Sequence, residues 1–191
     1  MVGDGRRVLF LRSGGPEDPV TCLWELDVAS AAERLLADPA ELLADTGEAE
    51  LPPAERARRE RAREGAAGIV GYSTDSSGER VVFALAGQAY LHDAAGVVRQ
   101  LDTAPGVFDP RLSPDGSHVA YVVGNTLQVV AVAEGSVGVV VAAENDETVS
   151  WGSAEFIAAD CAKVRQSLSL LTAKVRQSGG TAAKVLNKTQ W

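Results

Sequence analysis

Few groups in this sequence can do chemistry, and their spacing assembles none of the familiar constellations. The two histidines, His92 and His118, fall in or beside expected strands of separate repeats, where an exposed or satisfied structural histidine is the better reading. Cys22 and Cys161 lie far apart, and neither has a second Cys or His at the short spacing a zinc ion needs. A serine nucleophile of the hydrolase type needs Gly-x-Ser-x-Gly between a strand and a helix. Gly152-Ser153-Ala-Glu-Phe lacks the second glycine and that setting. No glycine-rich loop opens a helix to cradle phosphate, although the chain has 19 glycines. These residues predict no catalytic group, no metal and no cofactor.

What remains is the scaffold. The chain has 191 residues, 46% of them hydrophobic and 23% charged, a composition that buries a core and excludes wholesale disorder. Its formal charge of −8 gives no electrostatic support for binding nucleic acid or an anionic membrane. The apolar run Val8–Leu11 is shorter than the roughly 7–15 residues of an export signal. The stretch Val137–Ala143 is far short of the ~20 residues that span a bilayer. The expected location is cytoplasmic.

Charge divides the chain unevenly. Residues 1–160 carry all 26 acids and 12 arginines, whereas residues 161–191 carry six basic residues and no acid. All four lysines, Lys163, Lys174, Lys184 and Lys188, fall in this last part. A junction near Asp160–Cys161 is expected, with an unrelated basic tail beyond it, as a frameshift or insertion would produce. The tail repeats Ala162-Lys-Val-Arg-Gln-Ser as Ala173-Lys-Val-Arg-Gln-Ser, 11 residues on, about three helical turns. So short a helix is marginal, so the tail is expected to be weakly helical or disordered.

The body has its own repeat: glycine, two residues, valine, any residue, aromatic. It occurs as Gly5-Arg-Arg-Val8-Leu-Phe10, Gly78-Glu-Arg-Val81-Val-Phe83 and Gly116-Ser-His-Val119-Ala-Tyr121. The second and third copies are 38 residues apart and the first and second 73, with an insert between them. Each copy reads as a turn followed by a strand, with valine and aromatic on one face. Second strands follow over Thr21–Val28, Gln88–His92 and Thr126–Ala133, and third strands near Arg34–Leu36, Val97–Leu101 and Val137–Val141. In the first of these, Cys22, Trp24, Leu26 and Val28 share one face, and Thr21, Leu23, Glu25 and Asp27 the other. Repeats of this length built from short antiparallel strands predict a mainly β chain, a partial β-propeller of about three blade-like sheets over residues 1–160. A generic β-sandwich is the alternative, and the 38-residue period favours the propeller.

The insert, about residues 38–65, is expected to be helical. Asp38-Pro39 opens a short Ala/Glu/Leu turn, and Pro52-Pro53 opens Ala54–Glu64, which Gly65 closes. That second segment has five arginines, three glutamates and no large apolar residue, which marks a solvated helix face more than an RNA-binding one.

Several segments resemble one family. Asp109-Pro-Arg-Leu-Ser-Pro-Asp-Gly-Ser-His-Val-Ala-Tyr-Val122 has the Ser-Pro-Asp-Gly form of propellers attached to serine peptidases. Arg6–Ser13, Asp18–Val28, Glu33–Leu43 and Leu51–Arg61 are similar to the N-terminal region of bacterial dipeptidyl peptidase IV-type proteins. Val149–Ala158 resembles the stretch leading to that family's substrate anchor. The resemblance implies a propeller that covers an α/β-hydrolase domain, in an enzyme that removes dipeptides from peptide N-termini. It also implies a glutamate pair at positions 160 and 161 that holds the substrate's ammonium group. Here those positions are Asp160 and Cys161, a half-lost anchor, since a thiol with a pKa of about 8.5 is no second carboxylate at neutral pH. Glu155 just before them is expected to serve packing or a strand end.

The expectation is a truncated, non-catalytic propeller fragment of that serine peptidase family, whose partners are peptide N-termini. The alternative is an independent β-repeat module that binds peptides or proteins. Open blade edges would allow self-association.

Overall fold

The computed structural model describes residues 2, 5–15, 17–44, 67–143 and 151–152. Asp160, Cys161, Glu155, the tail 161–191 and insert residues 45–66 lie outside the described residues.

The described residues build three sheets in chain order. The first contains β1 (Arg7–Ser13), β2 (Val20–Asp27) and β3 (Glu33–Ala37), an antiparallel meander. Helix α1 (Pro39–Ala44) follows, with Asp38 accepting a hydrogen bond from the Ala40 amide at its start. The chain returns as β4 (Ala67–Gly68), which pairs parallel with Val20 and Thr21, the stretch of β2 that β3 leaves uncovered. Only glycine suits the return point. Gly68 has a φ of +91°, and a Cβ there would lie 2.6 Å from the Thr21 carbonyl oxygen.

The second sheet is β5 (Tyr72–Thr74), β6 (Val81–Leu85), β7 (Gln88–His92) and β8 (Val98–Gln100). The third is β9 (Val107–Leu112), β10 (His118–Val123), β11 (Thr126–Ala131) and β12 (Val139–Ala142). Both are antiparallel meanders of four strands. The glycine–valine–aromatic motif forms β1, β6 and β10, as the repeat predicts. The strands that precede it in sheets 2 and 3, β5 and β9, are not legible in the repeat. The first has three residues, and the second contains Asp109-Pro110, with Asp109 at a φ of +46°. A proline and a left-handed residue are breaker signals, and the β9–β10 ladder absorbs them as a register shift.

The sheets stack face to face, with the second in the middle. Val81, Phe83, Leu85 and Tyr90 face sheet 1 and join Leu9, Leu23, Ala37 and Ile69. Val82, Ala89 and Leu91 face the other way, into a core with Val107, Leu112, Val119, Tyr121 and Val130 of sheet 3. Burial on both faces explains why β6 reads Val-Val-Phe-Ala-Leu without a polar alternation. Across the sheet 2–sheet 3 interface, β9 lies against β6 and β5. Repetition of a four-stranded meander, each layer packed on the next, makes the chain a mainly β partial β-propeller of three blade-like sheets.

One face is the reverse of what alternation alone suggests. The apolar stripe Cys22, Trp24, Leu26 of β2 points away from the stack, and Leu23 and Glu25 point into it. On the outer face the Arg12 guanidinium lies 4.4 Å from the Trp24 ring centroid and 5.4 Å from that of Phe10. Its Nη2 is 2.7 Å from Glu33. Cation–π contact and a stem laid along apolar surface shield part of this stripe from water.

Candidate functional site

The turns β2–β3, β5–β6, β7–β8 and β9–β10 form one end of the stack, and aspartates brace them. Asp27 accepts from the Ser30 amide and hydroxyl, at 2.8 and 2.7 Å. Asp75 accepts from the amides of Glu79 and Arg80, and Asp93 from those of Ala95 and Val97. In the Ser-Pro-Asp-Gly turn, Asp115 Oδ1 accepts from the hydroxyls of Ser113 (2.6 Å) and Ser117 (2.7 Å) and from the Ser117 amide (3.0 Å). Those bonds, Ser113 first, hold the Asp115 carboxyl well below the usual carboxylate range. The motif therefore makes a rigid turn. Rigid turns also tie the sheets together: Ser76 donates to the Pro114 carbonyl, and Arg80 Nη1 to the Gly116 carbonyl at 2.8 Å.

Behind these turns, where sheet 1 meets sheet 2, sits a charged cluster. Glu25 on β2 is only 9% exposed. Its Oε2 lies 3.2 Å from Arg7 Nη1 and its Oε1 3.0 Å from Arg34 Nη2. The ladder explains the meeting: Arg34 is the cross-strand partner of Glu25, and Arg7 is two residues from the Leu9 that pairs with it. His92 closes the cluster from β7, on the same face as Tyr90, and is 6% exposed with no hydrogen-bond partner at Nδ1. Burial holds the His92 imidazole below its ordinary range. Arg34 adds to this, while Asp93 and Glu25 work against it.

Such a cluster clamps two sheets at their rim. Both Glu25 oxygens serve guanidinium groups, so it is not disposed to act as a base. The exposed part is the Arg34 side chain, at 61%, which leaves a cation at the rim. The expectation of an exposed or satisfied His92 is corrected here: the ring is buried and its Nδ1 unpartnered, because both flanking sheets cover β7. His118 opens β10 in sheet 3, on the opposite side of the strand from Val119, its Nδ1 2.8 Å from the Ser117 hydroxyl. The two histidines are not brought together. Cys22 is half-buried on the outer face of sheet 1, and burial, then Asp38 and Asp18, pushes its thiol pKa up, the reverse of an activated nucleophile. Among the described residues no group of three His, Cys, Asp or Glu side chains is placed to hold a metal ion. No helix among them is long and apolar enough to cross a membrane.

Sequence reasoning missed the Glu25 cluster. The available signal was a glutamate at the centre of an otherwise well-patterned strand, with an arginine opposite it across the hairpin.

A pH dependence follows from His92. Its folded pKa is depressed, so the unfolded chain takes up the proton first as pH falls. The stability is fully present above the ordinary value of 6.5 and is lost as pH falls through and below it. Urea midpoints should therefore be lower at mildly acidic than at neutral pH, and His92→Gln should flatten this difference. An undiminished slope in the variant would assign the dependence to other groups.

No family model matches the sequence. Among solved structures, TolB from Acinetobacter baumannii matches with a TM-score of 0.47 and 12% identity, over 73% of this chain and 31% of that one. The β-propeller domain of Cps50 (Swd1) from Myceliophteria thermophila matches at 0.47 and 14%, over 90% and 43%. The tricorn protease matches at 0.48 and 14%, over 75% and 12%. The chain thus spans less than half the length of each of these structures.

Proposed function

We propose that this chain is the non-catalytic N-terminal propeller segment of a dipeptidyl peptidase IV-like serine exopeptidase, a wall that receives peptide N-termini and leaves the chemistry to a hydrolase domain. The observation that carries this reading is the correspondence between the family-like segments and the blade elements. Arg6–Ser13 falls on β1, Asp18–Val28 on β2, and Glu33–Leu43 on β3 and α1. Asp109–Val122 supplies most of β9, the braced Ser-Pro-Asp-Gly turn and most of β10. The break between β3 and β4, within the first sheet, comes where the resemblance puts the helical insert.

In this reading the substrate anchor at Asp160 and Cys161 is half lost. Aspartate keeps the charge but is one methylene shorter than glutamate, and the thiol is neutral. A single carboxylate near a solvated ammonium contributes about 0–1 kcal/mol.

The test is direct. The purified chain should not hydrolyse Xaa-Pro or Xaa-Ala dipeptide amides, and a fluorophosphonate should not label it. The double substitution Asp160→Glu, Cys161→Glu should strengthen binding of a peptide N-terminus little, since a hydrolase domain would supply the opposite wall. Stoichiometric labelling that disappears when one serine is replaced would overturn the non-catalytic assignment. Tight, sequence-selective peptide binding by the chain alone would favour the independent binding module instead.

A further inference from the structure

The last strand of each meander, β3, β8 or β12, ends its sheet at one edge. An edge strand leaves backbone N–H and C=O groups unpaired, and folded proteins guard such edges with charge, proline or a bulge. Charge guards two of the three. β3 carries Glu33, 2.7 Å from Arg12, and Arg34, 3.0 Å from Glu25. β8 carries Arg99, which donates to the Val132 carbonyl, and Gln100, whose amide donates to the Gln88 side chain.

β12 is different. From Gly135 to Ala143 the sequence reads Gly-Ser-Val-Gly-Val-Val-Val-Ala-Ala, without a charge or a proline. Val139 is 63% and Val140 53% exposed, and as neighbours on a strand they point to opposite faces. Apolar surface therefore meets water on both sides of this edge. Val137 and Gly138 are tied to Asp102, the first by a parallel bridge and the second by a hydrogen bond to its carbonyl. From Val139 to Ala142, β12 pairs only with β11 among the described strands. A bulge at Val141 is the one guard on this stretch. Any sheet before or after these three would continue the stack on its faces, so the edge stays at the side of the stack whatever the full length of the chain.

The chemistry of the edge selects what covers it. Unpaired backbone groups call for another extended strand. Valines exposed on both faces call for apolar, β-branched residues directly opposite. A chain with a formal charge of −8 repels its own copies, so a contact between copies must fall where no charge stands. β12 of a second copy meets all three conditions. We propose that β12 pairs antiparallel with β12 of a second copy of this chain, across a two-fold axis at Val140. Val140 then faces its own counterpart, and Val139 faces the partner's Val141. The contact is isologous, so it closes at two copies. So short an edge, with a bulge in it, makes a small interface and hence a weak, reversible dimer.

Sedimentation equilibrium of the full chain over a concentration series from about 10 to about 500 µM tests the proposal, a range suited to a small interface. The mean mass should rise from that of the 19.9 kDa chain towards twice that value. Val140→Lys and Val140→Glu should each weaken association at least about 5-fold, because like charges would then sit directly opposite across the axis. An equimolar mixture of the two variants should regain association, since the mixed pair sets opposite charges face to face. That recovery also shows that both variants are folded. A wild-type chain that stays monomeric throughout the series would overturn the proposal. So would a dimer that both variants leave intact, a mixture that associates no better than either variant alone, or an open-ended polymer.

Discussion

Phe83→Ala is expected to destabilise the chain by about 3–5 kcal/mol, the range for deleting a fully buried aromatic ring. The ring has no solvent exposure and stacks on Tyr90 with centroids 5.8 Å apart and planes 8° apart. It sits in the core between sheets 1 and 2, with Leu9, Leu23 and Ile69. The size of the effect comes from the layering. Collapse into the vacated space would require β6 to move towards sheet 1. The opposite face of β6 holds Val82 against sheet 3, so that movement would open the second core. A cavity that cannot relax carries the full cost. Phe83→Leu, which retains most of the volume, should cost less than half as much. Urea unfolding followed by circular dichroism measures both, provided that the slope is unchanged, so that the midpoint shift reports stability. A loss below about 1 kcal/mol for the alanine variant would mean that sheets 1 and 2 do not pack on each other in solution.

Glu25→Ala is expected to cost about 2 kcal/mol, less than the 3–5 kcal/mol typical of breaking a fully buried pair. The carboxylate is buried between two guanidinium groups at 3.0 and 3.2 Å. Removing it leaves Arg7 and Arg34 facing each other at the rim. Arg34 is largely in water, so solvent screens much of that repulsion, and this lowers the figure. The double variant Glu25→Leu, Arg7→Met should lose less than Glu25→Ala alone, because it leaves fewer unpaired charges in the interface. Losses equal to the sum of Glu25→Leu and Arg7→Met measured alone would show that Glu25 and Arg7 do not interact in solution.

The part of the fold written in local patterns was legible before any coordinates. Gly5, Gly78 and Gly116 each precede a valine–x–aromatic strand, and all three have positive φ, as turn glycines should. The alternation of β2 and the small-residue hairpins that follow each motif located the second and third strands to within a few residues. The 38-residue period announced stacked, similar sheets. These features depend on residues close in sequence, where turn geometry and side-chain alternation act alone.

The rest depended on what each strand lies against. β9 contains Asp-Pro and forms because β10 pairs with it and sheet 2 covers it, which no local propensity records. β4 exists because the chain returns to an uncovered stretch of β2, a pairing across 47 residues between Val20 and Ala67. The candidate site shows the same division. The sequence pointed to Asp160 and Cys161 through resemblance, and they lie outside the described residues. It gave no weight to Glu25, Arg34 and His92, whose meeting requires the cross-strand register of sheet 1 and the stacking of β7 over it. Alternation divides a strand into two faces but does not say which face is covered. In β2 the more apolar face points out and the face with the glutamate points in. That choice belongs to the tertiary structure, since the face that meets sheet 2 is set by the order in which the sheets stack, and a buried carboxylate is tolerated there only because two arginines arrive with it.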